Sequence, residues 1–363
     1  MPGVRALLVV NPMATTTTPG GRDVITQALG SELKLDVLET GHRGHAAEAA
    51  AQAAADGFDV VLVHGGDGTV NEVVNGLLTT PDADLGDPRD RPAVAVVPGG
   101  SANVFARALG SPRDPVEATA SLLAALRERR STSVGLGRVD PGPVVGPVAG
   151  PVADGRRADE GAVTTVRGPA AGRIAARIAT AAAPPSPSAG RWFTFNAGLG
   201  WDAEVVAEVE RARAAGREAT PLRYASTALR HYLHQLRRPR SMTVEICGAA
   251  PVPDVRMAFI STTHTWTYLG SRAVRTNPGT SVRSGLGLFG VRDLGAGTVA
   301  PTLRRMLSPG GDPRGRNVLR QDAVASLTVR SAEPVALQVD GDHLGQHHEV
   351  RFRAVRDALR VVV

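Results

Sequence analysis

Three glycines surround a single aspartate in HGGDGTVNEVVNGL, residues 64–77. Glycine loses more backbone entropy than any other residue, so such a cluster indicates that another group approaches the main chain closely. The segment follows an apolar run and leads into a predicted helix, whose first N–H groups attract anions. Asp67 cannot bind a phosphate directly, because two anions repel each other. We expect it to reach a Mg²⁺ ion on the phosphates; the alternative is a capping acid in an ordinary strand-to-helix turn.

A second glycine pair lies in VPGGSANVFAR, after the next predicted strand. Gly99 and Gly100 precede Ser101, which is a candidate N-cap or phosphate donor, and Thr69 has the same two options in the first turn. If the two strands are neighbours, both turns face one crevice, with the segment NPMATTTT as a third wall. Lys34 is the only lysine and the chain has no G-x-x-x-x-G-K-[ST] loop, so backbone amides and arginines are expected to hold any phosphate.

Alternating strand and helix patterns position these turns. The apolar runs RALLVVNP, LKLDVLET, FDVVLVHGG and PAVAVVPGG alternate with helical segments, which is typical of a parallel sheet with ligands at the carboxyl ends of its strands. Later β-like runs separated by turn residues predict a β-sandwich. We expect a Rossmann-like α/β domain over residues 1–133 and a β-rich domain over 134–363. Packing of the last residues on the first domain is an option. Residues 140–190 are a Pro-, Gly- and Ala-rich insertion, either a lid or disorder.

Composition narrows the functional classes. The 363 residues include 41 Lys and Arg against 35 Asp and Glu, and this net charge of +6 favours acidic partners such as phosphates or anionic lipid. Aromatic residues make up 4% and no basic stretch interleaves them, which argues against nucleic-acid binding. The single cysteine, Cys247, excludes an internal disulfide, and no apolar stretch approaches membrane-spanning length. A cytoplasmic protein is expected, and His343, His347 and His348 are not expected to form a metal site.

Several motifs follow one another in a fixed order along the chain. They are Asn11-Pro12, Thr40 with Gly44-His45-Ala46, GGDGTVNEV and PGGSANVFARALG, followed by FNAGLGWDAEVV, TWTYLG and VDGDHLG. In this order they resemble the diacylglycerol kinase catalytic family, which includes bacterial lipid kinases and sphingosine kinases. NAD kinases also carry GGDGT, but the PGG and TYLG elements disfavour that family.

The resemblance implies an ATP-dependent kinase with a nucleotide-binding α/β domain, a β-rich second domain and a cleft between them. Asp67 would organise the catalytic Mg²⁺. By motif position, the residues that would hold ATP are Asn11, Thr40, Gly65, Gly66, Asp67, Gly68, Thr69, Asn71, Gly99, Gly100 and Ser101.

The segment QVDGDHLG supplies the candidate base. Phosphoryl transfer to an alcohol requires a base near the acceptor hydroxyl, in line with the γ-phosphate. Asp340 and Asp342 flank Gly341, and in an extended segment positions two apart share a face. The resemblance implies that Asp342 is the base, where many family members have glutamate, and that Asp340 orients it or a metal-bound water. The residues alone also fit a hairpin turn at Asp-Gly.

Three positions depart from the family pattern. Val104 and Gly135 stand where the family often has aspartate, which removes acids that could join a metal and water network. Ser284 stands where the family often has the acid of a structural magnesium site, and we expect no metal there.

In and directly after a predicted helix over residues 222–236, Arg223, Arg230 and Arg237 are spaced by seven on one face, and residues 222–240 contain no acid. Such a stripe predicts contact with an anionic membrane. The alternative is a helix that packs on the β domain with a solvated arginine face.

The sequence as a whole predicts a cytoplasmic kinase, peripheral at the inner face of the membrane, that transfers the γ-phosphate of Mg-ATP to diacylglycerol and produces phosphatidic acid. The expected partners are ATP, a lipid alcohol and anionic membrane, without nucleic acid, and a homodimer is one option. Two alternatives stay open: a kinase of another lipid alcohol, such as a sphingoid base or phosphatidylglycerol, and a catalytically weak nucleotide-binding regulatory module.

Overall fold

A computed structural model describes most of the chain, in two compact units. The described residues are 3–79, 85–145, 166–168, 190–200, 203 and 241–363. The first unit comprises residues 1–136, 161–184 and 355–363, and the second comprises 137–160 and 185–354. Most of the predicted insertion at 140–190 and the whole predicted helix at 222–236 lie outside the described residues.

Strands and helices alternate along the first unit. Its strands are β1 (Arg5–Val10), β2 (Lys34–Glu39), β3 (Val60–Gly65), β4 (Ala93–Pro98), β5 (Ser131–Pro141), which continues into the second unit, and β6 (Val166–Arg167). Its helices are α1 (Pro19–Gly30), α2 (His45–Ala55), α3 (Asp67–Leu77), α4 (Val104–Ala108) and α5 (Pro115–Arg127).

The first four strands form a parallel sheet in the order β4-β3-β1-β2. Their apolar runs are buried on both faces, as expected for a sheet that helices cover on each side. Gly65 at the end of β3 is the register partner of Pro98 at the end of β4, so the two glycine turns do follow neighbouring strands. The chain end returns here, because Val361 pairs in parallel with Val94 of β4.

Helices α2 and α3 approach each other unusually closely. A Cβ atom on Gly76 of α3 would lie 2.1 Å from the carbonyl oxygen of Ala47 in α2, so only glycine permits this contact. Leu8 of β1 packs in one hydrophobic cluster with Ile25 and Leu29 of α1. This packing fixes the helices whose first turns lie at the carboxyl edge of the sheet.

The described residues of the second unit are almost entirely β. Its strands are β7 (Arg191–Phe193), β8 (Asn196–Gly200), β9 (Met242–Ile246), β10 (Val252–Val255), β11 (Met257–Ser261), β12 (Thr265–Leu269), β13 (Arg272–Arg275), β14 (Leu286–Val291), β15 (Val318–Val324), β16 (Ser326–Val339) and β17 (Asp342–Val362), the last of which ends in the first unit. In the part of this unit that the structure describes, one helix, α6 (Ala296–Met306), interrupts them.

Antiparallel pairing connects most of these strands, in the order β15-β14-β11-β8-β16-β17. Strands β12 and β13 form a separate hairpin. The predicted fold class, an α/β unit followed by a β-rich unit, is confirmed, although the sequence analysis missed α6. None of the helices in the described ranges has the length and hydrophobicity needed to cross a membrane.

Candidate active site

The two glycine turns of the first unit pack directly on each other. The Gly99 amide donates to the carbonyl oxygen of Gly65 over 2.8 Å. A Cβ on Gly100 would lie 2.7 Å from the Cα of Gly66, and a Cβ on Gly99 would lie 3.0 Å from the Cα of Gly65. The predicted close approach to the main chain is therefore partly internal. At Gly66, Gly99 and Gly100 the approaching group is the other turn, whereas a Cβ on Gly65 would lie 2.8 Å from Thr69 Oγ1 of α3.

Gly68 has a different environment. It lies in the first turn of α3 and is exposed, and a Cβ placed on it would meet no protein atom within 4 Å. Glycine inside a helix destabilises it by about 0.5–1 kcal/mol relative to alanine. Since no packing in the described part of the chain requires glycine here, the open surface beside the helix N-terminus is where an external group can approach.

The segment after β1 joins both turns. The Asn11 amide donates to the His64 carbonyl oxygen over 3.0 Å, and its side-chain Nδ2 donates to Thr69 Oγ1 over 3.0 Å. Thr16 donates its amide to the Gly99 carbonyl oxygen over 2.9 Å. The expected third wall is therefore present, and Thr69 is buried against Asn11 rather than capping its own helix.

Both carboxylate oxygens of Asp67 cap a neighbouring helix. Oδ2 accepts the Val104 amide over 3.0 Å, and Oδ1 accepts the Phe105 amide over 3.1 Å. These are the first amides of α4, whose own N-cap, Asn103, adopts a φ of 48° and bonds back to Gly100 instead. The alternative of a capping acid is therefore observed, with α4 rather than α3 as the capped helix. Coordination of Mg²⁺ by Asp67 stays a prediction.

Glu72 performs the same role for α2, and the sequence analysis did not identify it. Its Oε1 accepts the Gly44 amide over 2.9 Å and its Oε2 accepts the Ala46 amide over 3.3 Å. Gly44, the N-cap of α2, has no side chain with which to cap the helix. A helix that begins after glycine was the available signal, because its first N–H groups need another acceptor.

The connection from β2 to α2 is held by His45. Its Nδ1 accepts the Gly41 amide over 3.0 Å, and its ring stacks on His42 with the centroids 4.6 Å apart. Burial, assisted by the charge of His42, lowers the pKa of His45 from 6.5 to about 4. Thr40 lies at the start of this connection, where its amide donates to the Val10 carbonyl oxygen over 2.8 Å. A neutral His45 thus fixes the loop that begins at Thr40.

The predicted ATP residues gather at the carboxyl ends of β1–β4, all in the first unit. Ser101 is exposed there, whereas Asn71 is fully buried and its carbonyl oxygen accepts Asn75 Nδ2 over 2.9 Å. Across the described residues, no cluster of three or more His, Cys, Asp or Glu side chains is arranged to hold a metal ion. A Mg²⁺ bound through one carboxylate and nucleotide phosphates needs no such cluster, so Asp67 fits that donor set.

Asp340 organises a turn in the second unit. Its φ of 47° and the φ of 90° at Gly341 define a two-residue hairpin between β16 and β17. The hairpin alternative is therefore correct, and the extended geometry used to place Asp340 and Asp342 on one face is wrong. The carboxylate of Asp340 accepts four hydrogen bonds, from Thr194 N (2.6 Å), Thr194 Oγ1 (2.8 Å), Phe195 N (3.1 Å) and Asn196 N (2.9 Å).

This buried carboxylate fixes the bend between β7 and β8. Burial raises the pKa of Asp340, while the hydrogen bonds from Thr194 to Asn196 oppose that rise. Gln338 extends the network, since its Nε2 donates to Asn196 Oδ1 over 2.9 Å and its Oε1 accepts the Gly341 amide over 2.9 Å. Direct catalysis by Asp340 stays a prediction; its contacts are those of a group that positions the turn.

Asp342 pairs with Arg191, which the sequence analysis did not identify. The Arg191 guanidinium lies 2.5 Å from Asp342 Oδ2, and the two side chains are 23% and 22% exposed. Solvent therefore reaches this ion pair, whereas Asp340 is buried. The two residues thus differ: Asp340 is a buried carboxylate that binds backbone amides, and Asp342 is a partly exposed carboxylate in an ion pair.

The departures from the family pattern have local roles. The Val104 amide is a donor to Asp67, and Gly135 lies within β5. Ser284 Oγ accepts the Ser281 amide over 2.8 Å and donates to the Ser281 carbonyl oxygen over 3.1 Å, which closes a turn.

Comparison with known proteins finds sequence similarity in the first part of the chain. Residues 5–139 match the family model of the diacylglycerol kinase catalytic domain. The chain is 36% identical over 120 residues to a diacylglycerol kinase of Bacillus subtilis, covering 31% of this chain and 35% of that protein. It is 30% identical over 141 residues to a diacylglycerol kinase of Staphylococcus saprophyticus, covering 38% and 41%. The matches span less than half of these relatives, and the resemblance that the motifs indicated is confirmed.

The similarity of fold extends over nearly the whole chain. A solved structure of a putative diacylglycerol kinase from Bacillus anthracis superposes with a TM-score of 0.65 at 17% identity, covering 99% of this chain and 96% of that one. A second structure, of a diacylglycerol kinase from the same organism, gives 0.63 at 16% identity with coverage of 99% and 96%. These structures share the two-unit fold described above.

The neutral His45 predicts a pH dependence of stability. In the unfolded chain His45 binds a proton near pH 6.5, whereas in the folded chain it binds one only near pH 4. The free energy of unfolding should therefore fall as the pH drops from 6.5 towards 4. His45→Asn keeps an acceptor for the Gly41 amide without titrating, and should show a shallower fall in chemical denaturation. Some dependence of stability on pH should remain in the variant, because burial also lowers the pKa of His64. Equal slopes in the two proteins would contradict this role of His45.

Proposed function

We propose that this protein is a lipid kinase that transfers the γ-phosphate of ATP to the hydroxyl of diacylglycerol and produces phosphatidic acid. The observation that carries the proposal is the pair of joined glycine turns inside the stretch that matches a diacylglycerol kinase catalytic domain. The protein acts in the cytoplasm, peripherally at the inner face of the membrane. A homodimer stays a prediction.

The N-terminus of α3 would receive the nucleotide phosphates. The first N–H groups of a helix lack intrahelical partners, and Gly66 provides no side-chain cap for α3. By contrast, Asp67 already occupies the first amides of α4. The amides of α3 beside Gly68 therefore support phosphate binding, and backbone donors of this kind stabilise charge that develops during transfer.

Asp67 and Asn11 would complete the nucleotide site. Asp67 would hold a Mg²⁺ ion together with the phosphates, and such an ion neutralises phosphate charge when bound. Asn11 joins the end of β1 to Thr69 of α3, so it keeps the nucleotide wall rigid. Thr40 and Ser101 would border the nucleotide at the ends of β2 and β4.

Asp342 would act as the general base. Its carboxylate accepts the proton of the lipid hydroxyl as that oxygen bonds to the γ-phosphorus, and the bond from phosphorus to the ADP oxygen breaks. The Arg191 guanidinium pairs with Oδ2 and restrains the orientation of the carboxylate. Asp340 fixes the turn on which Asp342 stands.

Two alternatives to the diacylglycerol kinase function stay open. Nothing in the described residues selects diacylglycerol over another lipid alcohol, such as a sphingoid base or phosphatidylglycerol. A catalytically weak nucleotide-binding module is favoured by the bonding of both Asp67 oxygens to amides, and by the missing acids at Val104 and Gly135.

Substitution of Gly68 separates ligand binding from stability. Gly68→Ala adds a methyl group that touches no protein atom and should stabilise α3 by about 0.5–1 kcal/mol. The same methyl group should obstruct the phosphates and weaken ATP binding by about tenfold or more, equivalent to about 1.4 kcal/mol. Calorimetric titration with Mg-ATP measures the affinity, and urea denaturation measures the stability.

The matched control is Gly20→Ala, at the second residue of α1, where a Cβ also meets no atom. It should leave ATP affinity unchanged. Wild-type affinity in Gly68→Ala would show that the nucleotide lies elsewhere.

A lipid panel tests the reaction. The purified chain with labelled Mg-ATP and mixed micelles of diacylglycerol, sphingosine or phosphatidylglycerol should label diacylglycerol most rapidly. Asp342→Asn should reduce kcat by about 100-fold or more, the usual range for loss of a general base, without weakening ATP binding. Asp254→Asn, at an exposed acid of the same unit, is the control.

The outcomes are distinct. Preferential labelling of another lipid would favour the first alternative, and ATP binding without any labelled lipid would favour the regulatory module. Turnover by Asp342→Asn within a few-fold of wild type would contradict the base assignment.

A further inference from the structure

One segment of the second unit carries an excess of positive charge. Residues 265–316 contain eight arginines and two aspartates, a formal charge of +6 that equals the net charge of the whole chain. Both aspartates have local partners: Asp293 accepts the Gly295 amide and the Thr298 hydroxyl, and Asp312 pairs with Arg314 and Arg320.

Helix α6, within this segment, exposes an unusual face. A surface helix ordinarily exposes polar side chains, but α6 contains no acid, and Ala300, Leu303 and Arg304 share one exposed side. Leu303 is 46% exposed. This helix therefore offers solvent a mixture of apolar and cationic groups.

The tip of the β12–β13 hairpin has the same character. Leu269 is 62% exposed and pairs across the turn with the exposed Arg272. Neither residue is required in the core, since the buried member of β13 is Val274. The hairpin therefore adds a second apolar and cationic pair.

The hairpin and α6 cover one small hydrophobic cluster. Val274 and Trp266 of the hairpin pack in the same cluster as Met306 of α6. The Arg275 guanidinium donates to the Pro309 carbonyl oxygen, just beyond α6, over 3.0 Å. The two elements are therefore adjacent and anchored from beneath.

We propose that α6 and the tip of the β12–β13 hairpin form a docking surface for an anionic lipid bilayer. The docking surface consists of Leu269, Arg272, Ala300, Leu303 and Arg304. This inference rests on the proposed function, because a lipid kinase must collect its substrate from a bilayer. Leucine side chains enter the apolar boundary, while arginines extend their charged ends to the phosphates of the head groups. Charge complementarity selects an anionic bilayer.

Vesicle cosedimentation of the full chain tests the surface. The two vesicle compositions are phosphatidylcholine alone and phosphatidylcholine with phosphatidylglycerol. Wild type should bind the anionic vesicles, with affinity that falls in high salt, and should bind the neutral ones far more weakly. L303E/R304E should lower the affinity by about tenfold or more, and R272E should weaken it independently.

The matched control is R113E/V116E, which makes the same change at exposed residues of the first unit; Val116 is 52% exposed. It should bind anionic vesicles as wild type does. All variants should phosphorylate a dispersed short-chain diacylglycerol at the wild-type rate without vesicles, which separates this test from that of the proposed function.

Equal binding by wild type and L303E/R304E, or equal binding to neutral and anionic vesicles, would overturn the docking surface. Loss of a dimer in L303E/R304E, with vesicle binding unchanged, would assign the face to a second copy and would also overturn it. Anionic binding without kinase activity would support the surface while refuting the proposed reaction.

Discussion

The first amides of α2 and α4 are capped by carboxylates that α3 supplies, and the ligand-facing edge of the first unit depends on these contacts. A helix leaves its first N–H groups without intrahelical acceptors. Neither α2 nor α4 has a side-chain cap in its own N-cap residue, so Glu72 and Asp67 provide the acceptors from outside. One helix thereby fixes the connections that follow β2 and β4, while its own N-cap residue, Gly66, supplies no side-chain cap.

This arrangement constrains what Asp67 can do. A carboxylate that caps α4 can contact a metal ion only through its remaining lone pairs, so metal binding and the position of α4 are coupled. The paired glycines also hold this edge together, because without side chains they let the backbones of the two turns pack directly on each other. Among the glycines of the two turns, only Gly68 has no such internal explanation in the described residues. The carboxylates and glycines of this site therefore have structural roles, because they hold together the N-termini of three helices, α2, α3 and α4.

Short sequence patterns predicted those parts of the fold that depend on neighbouring residues. Continuous apolar runs identified the buried parallel strands, and the dipeptide Asp340-Gly341 indicated a hairpin only as the alternative to the extended segment. The partners of the carboxylates could not be predicted, because Asp67 bonds to residues 37 and 38 positions away and Asp342 pairs with Arg191 across 151 positions. Helix α6 was missed since Gly297 and Pro301 weaken its helical pattern, and its packing on the hairpin stabilises it instead. Long-range contacts of this kind leave no periodic signal in the sequence.

We propose that the two joined glycine turns and the N-terminus of α3 form one nucleotide site. Amide hydrogen exchange, measured by mass spectrometry with and without a nonhydrolysable Mg-ATP analogue, tests this most directly. We predict that the analogue slows exchange in peptides spanning residues 64–71 and 98–105 together, because the turns are hydrogen-bonded to each other. Protection of only one turn, or protection confined to the second unit, would contradict a single nucleotide site.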